Sequence, residues 1–291
     1  MEKFTAKEDS RLIDFLFTAL AGYKKNKVRS YLKFGAVSVN GTVSRKYDHR
    51  LRPGDDITVQ TVKREIIAAS TKFPFKVIYE DDDIIVIDKP AGLLTIATEK
   101  ERDQTAYRAL TEYVRMRDPK GRARVFIVHR IDRDTSGLIV FAKKGEAKEK
   151  LQDDWGTVEK RYLAVVEGSP EKDSGTRKSN LTESKFRAVH SGPREEGSKL
   201  AVTRYRVLEK GGGYSLVEVI LDTGRKHQIR VHMADMGCPV AGDRRYGAKT
   251  DPARRLALHA SYIAFKHPVT GKALVFQSPL PDVLRKLTKN Q

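Results

Sequence analysis

Val128-His129-Arg130-Ile131-Asp132-Arg133-Asp134-Thr135-Ser136-Gly137-Leu138 is the stretch whose reading decides the fold. A short apolar run, Phe126 to Val128, leads into it, and a second, Leu138 to Phe141, leads out. That is the pattern of two buried strands joined by a polar loop. Asp134, Thr135, Ser136 and Gly137 supply turn chemistry, and a tight surface turn would account for them. Such a turn needs neither Arg130 nor Arg133. One carboxylate, Asp132, bracketed by two guanidinium groups at the end of a buried strand reads instead as an active-site loop.

Working outward, short β-rich runs recur at Ile84 to Ile87, Tyr162 to Val166 and Leu216 to Ile220, and helical patterns at Ala106 to Arg115 and Glu146 to Trp155. Their mixture predicts an α+β or mixed-sheet domain. Asp81, Asp82 and Asp83 precede one run and read as solvated carboxylates of a hairpin turn. Further upstream the character changes. Residues 1–76 carry 16 basic residues against 8 acidic, a denser positive charge than the remainder. Leu12, Ile13, Phe15, Leu16 and Leu20 fall at helical spacing behind Asp9 or Ser10 as cap. A second helix is predicted from Lys24 to Phe34, with Val28, Tyr31 and Leu32 inward, Gly35 ending it, and Lys24, Lys25, Lys27, Arg29 and Lys33 outward. Val37-Ser38-Val39, Asn40-Gly41 and Val43 give a hairpin, and Leu51 to Val59 a turn with a closing strand. The expected organisation is a small α/β domain over 1–60, a linker over 61–75 containing Phe73-Pro74-Phe75, and a large domain over 76–291.

The 56 Lys and Arg against 38 Asp and Glu give a net charge of +18. A basic surface attracts phosphate and releases condensed counterions, so a nucleic acid leads as partner. No apolar run approaches the roughly 18 residues of a membrane span, and the charged N-terminus has no signal-peptide core. A soluble cytoplasmic protein with no membrane partner is expected. The single cysteine, Cys238, excludes a disulfide framework and a multi-cysteine zinc site.

The stretch from His129 to Gly137 resembles the signature of the RluA-type RNA pseudouridine synthases, His-Arg-Leu-Asp, two variable residues, Thr-Ser-Gly, with Ile131 in place of Leu. Other stretches are similar to that family in the same order. These are Phe75 to Leu94, Lys160-Arg161-Tyr162-Leu163 through Gly168, Thr223-Gly224-Arg225-Lys226-His227-Gln228-Ile229-Arg230-Val231-His232, Gly242-Asp243-Arg244-Arg245-Tyr246-Gly247, and Arg255 to Ala260. The N-terminal part resembles an S4 RNA-binding domain in its Gly-Ala-Val-Ser-Val-Asn-Gly and Pro-Gly-Asp-Asp-Ile stretches. The resemblance implies a large mixed, mainly antiparallel sheet with flanking helices and a central RNA cleft.

It also implies roles. Asp132 is the carboxylate that works on the glycosidic bond of a target uridine, as nucleophile or as base for a sugar proton. Arg230 pairs with it, since a guanidinium beside a carboxylate favours the ionised form; a phosphate contact is the competing role. Tyr162 stacks on the base and handles a proton. Arg130 fills the space left by a flipped base, contacts the adjacent phosphate, or anchors the loop to an acidic neighbour. Arg225, Lys226, His227 and Gln228 are carried over as substrate contacts, Lys226 standing where the family usually has Thr or Ser, and Lys24, Lys25, Lys27 and Arg29 as RNA contacts of the small domain.

The competing chemistries fit poorly. Asp132-Arg133-Asp134-Thr135 departs from the Asp-x-Asp-x-Thr of aspartyl-phosphate phosphatases because Thr arrives one position early. His227 and His232 are five apart, one too many for two ligands on a helix face. Neither a dinucleotide nor a phosphate-loop glycine pattern is present, so no cofactor and no metal is expected. The reading is a cofactor-independent, monomeric RNA pseudouridine synthase, with ribosomal RNA favoured over transfer RNA. The alternative is a non-catalytic RNA-binding or ribosome assembly factor that keeps the fold.

Overall fold

Alternation of apolar and polar residues along Val37-Ser38-Val39 and Ile57-Thr58-Val59 buries one face of a small sheet. The computed structural model describes residues 2–23, 25–33, 36–59, 73–99, 101–184 and 188–289. It has two units, Met1–Phe73 and Pro74–Gln291. The first contains β1 (Glu2–Thr5), β2 (Ser10–Arg11), α1 (Leu12–Ala19), α2 (Lys25–Lys33), β3 (Val37–Val39), β4 (Thr42–Val43), β5 (Arg50–Leu51) and β6 (Asp56–Val59). Its main sheet runs β1-β6-β3-β4. Asn40 and Gly41 have φ of 50° and 79°, the two positive values that a two-residue hairpin turn requires. Leu12, Leu16, Val28 and Leu32 from the helices meet Val37, Ile57 and Val59 in one core. The predicted cap of α1 is displaced: Ser10 belongs to β2, paired with Leu51, and Arg11 takes the cap position without a side-chain hydrogen bond. Lys24, Gly35 and 61–72, most of the predicted linker, lie outside the described residues.

In the second unit the run after Asp132 becomes a strand buried along its whole length. The elements are β7 (Lys76–Glu80), β8 (Ile84–Lys89), α3 (Ala106–Arg117), β9 (Phe126–Ile127), β10 (Ser136–Ala142), α4 (Gly145–Asp153), β11 (Glu159–Glu167), β12 (Ser174–Glu183), β13 (Val189–Gly192), β14 (Lys199–Gly211), β15 (Tyr214–Leu221), α5 (Gln228–Asp235), β16 (Leu258–Lys266), β17 (Ala273–Gln277) and α6 (Asp282–Arg285). The sheet order is β13-β12-β14-β15-β11-β16-β10-β8-β7, with β17 on β16 and β9 on β10. Among the described residues β10 and β16 form the parallel pair and the other pairings are antiparallel. This is the large mixed, mainly antiparallel α+β sheet expected from the sequence.

Two details of the centre position the site. At Gly137, φ is +112° and a Cβ would lie 2.2 Å from the Ala260 carbonyl oxygen, so only glycine lets β10 meet β16 there. Across β11 and β16, Arg161 faces Tyr262 while Tyr162 faces Ala260, leaving Ser261 as the extra residue of a bulge. Bulges re-aim side chains next to active sites.

The expectation of solvated carboxylates holds for Asp82, which is exposed, and is corrected for Asp81 and Asp83. Asp83 is buried. Asp81 accepts from the backbone N–H groups of Asp83 and Ile84, from Tyr79 Oη at 2.7 Å, and faces His267 Nε2 at 3.0 Å. His267 Nδ1 accepts from Val269 and Thr270 backbone N–H, which leaves the ring proton on Nε2, donated to Asp81. The three side chains have ligand atoms within 4.8 Å of one another, and Lys144 Nζ donates to Asp83 Oδ1 at 2.7 Å.

Candidate active site

The loop from β9 to β10 is fixed through its main chain on both sides of Asp132. Thr95 Oγ1 donates to the Ile131 carbonyl at 2.8 Å, while Lys89 Nζ and Gly92 N donate to the Arg133 carbonyl, each at 2.9 Å. Lys89 is fully buried and also donates to Pro90 and Leu93 carbonyls at 2.8 and 2.7 Å. Three acceptors match the three hydrogens of an ammonium. Burial pushes this amine down to about 7, against the attraction of Asp134 and Asp132. Asp132 itself stays accessible, its side chain 26% exposed.

Opposite it stands the first turn of α5. Arg230 Nη1 donates to Asp132 Oδ2 at 3.4 Å. The rest of the guanidinium is clamped by Asp243, with Nε to Oδ2 at 2.6 Å and Nη2 to Oδ1 at 2.9 Å, a bidentate pair of the strong kind. Burial opposes the charge on Arg230, but hydrogen bonds and attraction from Asp243, and attraction from Asp132, raise its pKa. Its guanidinium carbon lies 5.0 Å from the Tyr246 ring centroid.

The helix is delivered to this place by an unusual entry. His227 caps α5 in the left-handed region, φ 55°. Gln228 is buried and spends its whole amide: Oε1 accepts from Thr223 Oγ1 and Arg225 N at 2.8 and 2.9 Å, and Nε2 donates to Val202 O and Thr203 Oγ1 at 3.0 and 2.9 Å. Carried over as a substrate contact, Gln228 lines the cavity, and its amide hydrogens are already spent on bracing the loop. His227 Nε2 is 3.9 Å from Asp132 Oδ2. Burial lowers its pKa to about 4, against the pull of Asp132, so at neutral pH the ring is uncharged and this contact is no ion pair. Tyr246 Oη, 2.7 Å from His227 Nδ1, accepts from Val189 N at 3.2 Å.

These groups surround an open cavity of about 90 Å³. Arg130, Asp132, Tyr162, Arg225, His227 and Arg230 give its polar lining; Ile131, Leu221, Ile229 and Leu258 give apolar walls. Such a mixture suits a flat, polar ring held between aliphatic faces. Burial, then the charge of Asp132, raises the pKa of Tyr162 and holds it as a phenol. Arg130 is exposed and makes no side-chain hydrogen bond or ion pair among the described residues, so the anchoring role is not seen. His129 accepts from Val140 N at 3.0 Å and stacks on Trp155 with centroids 4.4 Å apart, the arrangement of a structural histidine.

The other candidates separate. Arg225 is exposed at the rim and donates Nε to Leu200 O at 3.1 Å. Lys226 is ion-paired with Glu183 at the end of β12. Lys25, Lys27 and Arg29 belong to the first unit, exposed on α2. Lys25 and Arg29 lie 5.6 and 5.4 Å from the Phe17 centroid, and Lys27 lies 4.8 Å from that of Tyr23. Sequence reasoning gave no role to Asp243, Tyr246 or Lys89. The first two lie in a quoted motif, where an Asp three residues before a Tyr was the available signal.

The pattern of the RNA pseudouridylate synthase family matches residues 83–235, a span that holds Asp132, Tyr162 and Arg230. An uncharacterized RNA pseudouridine synthase of Bacillus subtilis is 36% identical, covering 98% of this chain and 96% of that one. Ribosomal large subunit pseudouridine synthase D of Vibrio cholerae is 35% identical over 97% of this chain and 92% of its own. Among solved structures, human RNA pseudouridylate synthase domain containing 1 superposes with a TM-score of 0.59 at 25% identity, covering 72% of this chain and 85% of that one. No helix among the described residues is long and apolar enough to cross a membrane.

Proposed function

The chain belongs to the RNA pseudouridylate synthase family and is an RNA pseudouridine synthase; from that premise we propose that Asp132, Tyr162 and Arg230 carry the isomerisation. The observation behind this reading is the 3.4 Å approach of Arg230 to Asp132 at the edge of a cavity that Tyr162 also lines. In the reaction N1–C1′ of a uridine breaks, the uracil turns, and C5 joins C1′. Asp132 begins it by attacking the sugar or by removing a sugar proton. Its approach is open because the loop is held from behind. Arg230, in the same cavity wall, meets the carboxylate and keeps it in place. Tyr162, un-ionised, offers a ring face to the detached base and a hydroxyl for the final movement of the C5 proton.

The uridine enters by leaving its stack, and Arg130, exposed and unpaired, takes up the vacated space or the adjacent phosphate. His227 and Arg225 complete the base and phosphate contacts. We assign the substrate to large-subunit ribosomal RNA, because relatives covering nearly the whole chain carry that name; transfer RNA is the competing substrate. The first unit, S4-like in its helix-helix-hairpin order, serves as an RNA grip through Lys24, Lys25, Lys27 and Arg29. A monomeric, cytoplasmic enzyme fits this reading. A binding-only role has no use for a carboxylate facing a basic cavity, where it repels phosphate.

Position-resolved pseudouridine mapping of total RNA from cells with the protein, without it, and with Asp132→Ala tests these assignments together. A modified uridine in ribosomal RNA lost in both altered strains is expected. Persistence of every pseudouridine in the Asp132→Ala strain, with loss in the deletion, would remove the catalytic role from Asp132.

A further inference from the structure

From the last turn of α3 to β9 the chain reads Arg115-Met116-Arg117-Asp118-Pro119-Lys120-Gly121-Arg122-Ala123-Arg124, with five basic residues and one acidic. The acidic one is taken up chiefly by main-chain groups, with Arg122 the one basic side chain whose charge it feels. Asp118 Oδ1 accepts from the backbone N–H of Lys120 at 3.0 Å, and Oδ2 accepts from those of Arg122 and Ala123 at 2.5 and 2.8 Å. Gly121, at φ +60°, donates its N–H to the Asp118 carbonyl at 2.9 Å. One carboxylate thus folds the loop into a fixed bend. The backbone hydrogen bonds from Lys120 and Arg122 lower its pKa and keep it ionised.

What the bend displays is positive. Lys120 and Arg122 are exposed at its tip and Arg115 on the last turn of α3, and their side chains make no hydrogen bond or ion pair among the described residues. Arg124 lies 4.8 Å from the Phe126 ring centroid, stacked but still charged. Basic residues elsewhere in this unit are commonly matched, as Arg204 is by Asp222, Arg206 by Glu218, Lys210 by Asp173 and Lys144 by Asp83. Arg117 in the same stretch is matched by Glu80 at 3.0 Å. The tip is a fixed cationic projection in which, among the described residues, no side-chain ion pair matches Arg115, Lys120 or Arg122.

We propose that this loop is a second RNA site, gripping phosphates of the same RNA at a distance from the target nucleotide. The proposal rests on the pseudouridine synthase reading and adds where the RNA runs. β9 pairs Phe126 and Ile127 with Ala142 and Phe141, whereas Asp132 lies just before Ser136 at the opposite end of β10. At about 3.3 Å per residue the loop and the carboxylate are on the order of 20 Å apart along that strand. Phosphates held at the loop therefore belong to nucleotides well away from the flipped uridine, as in a structured arm that is read by shape. Because the bend is already fixed, little conformational freedom is lost when the anion arrives.

The test uses the full-length protein and unmodified large-subunit ribosomal RNA transcribed in vitro, with filter binding across a KCl series. Lys120→Glu/Arg122→Glu is compared with Lys172→Glu/Lys286→Glu, an equal charge change at exposed positions outside the loop. The loop variant is expected to bind about tenfold more weakly than the control and to lower the salt slope by about 2, one unit per lost phosphate contact. A third variant, Asp118→Ala, makes the protein more positive while releasing the bend. If fixed display matters it binds more weakly than wild type, whereas long-range attraction alone makes it bind more tightly. Equal affinity and slope for the loop variant and its control, or tighter binding by Asp118→Ala, overturns the proposal. Absence of pseudouridine formation by the wild-type protein would instead count against the enzymatic reading, and is scored separately from binding.

Discussion

Arg230 is held more tightly by Asp243 than by Asp132: two short bonds of 2.6 and 2.9 Å against a single one of 3.4 Å. The guanidinium is therefore a fixed reference, set by Asp243, against which the Asp132 carboxylate rests.

Asp243→Asn keeps the shape of this support but removes one acceptor oxygen and the charge. We expect kcat to fall by roughly 10²-fold, the scale of an error of about 1 Å in placement, with RNA affinity within about twofold of wild type. Breaking a buried pair also costs on the order of 3 kcal/mol of stability. Single-turnover tritium release and filter binding separate the two effects; equal losses in rate and affinity would refute a positioning role.

Tyr162→Phe retains the ring face and loses the hydroxyl. Binding should be preserved and kcat reduced by roughly 10² to 10⁴, the usual contribution of a positioned proton donor or acceptor. An unchanged rate would reduce Tyr162 to a stacking surface.

His129 and His232 are held as neutral rings, with pKa values lowered by burial to about 3 and about 4. An unfolded histidine takes its proton near pH 6.5, so below that pH the unfolded chain binds protons that the folded chain refuses. Their contribution to stability is full above about pH 6.5 and is lost as pH falls toward 4, at up to about 1.4 kcal/mol per pH unit for each ring. Urea midpoints measured from pH 7 to pH 4 should fall accordingly, and His232→Asn should make that decline shallower.

Gly137→Ala places a methyl group 2.2 Å from the Ala260 carbonyl at a φ of +112°. Neither strand can retreat without opening the parallel seam, so a loss of about 4 kcal/mol or more is expected. A thermal midpoint within about 2 °C of wild type, measured by calorimetry, would contradict this.

The sequence made these elements legible unevenly. Strands such as β8 and β10 announced themselves as unbroken apolar runs, and the Asn40-Gly41 turn by a dipeptide with one conformational purpose. Helix α5 was hidden because Gln228 to Met233 are all buried, so no polar face gives the run a helical period. β12 and β14 were hidden for the opposite reason: their exposed faces are rich in Lys, Arg and Thr, and half-open strands read as loops. At the site, the partnership of Asp132 with Arg230 came from family resemblance across 98 residues of chain. Asp243 was missed because a carboxylate in a motif does not disclose which cation it faces. Lys89 was missed because a lysine at the end of a strand is ordinarily solvated, and nothing local shows three carbonyls converging on it.

The loop that carries Asp132 is tied by the carbonyls of Ile131 and Arg133, groups that every residue possesses. The Arg133 side chain itself points outward to Asp134. Placement of the loop and the identity of its surface are thus written in different parts of the same residue. Position 133 can exchange its side chain while the carboxylate one residue earlier stays where the main chain holds it. The surface beside the cavity has a route to change that leaves the position of Asp132 untouched.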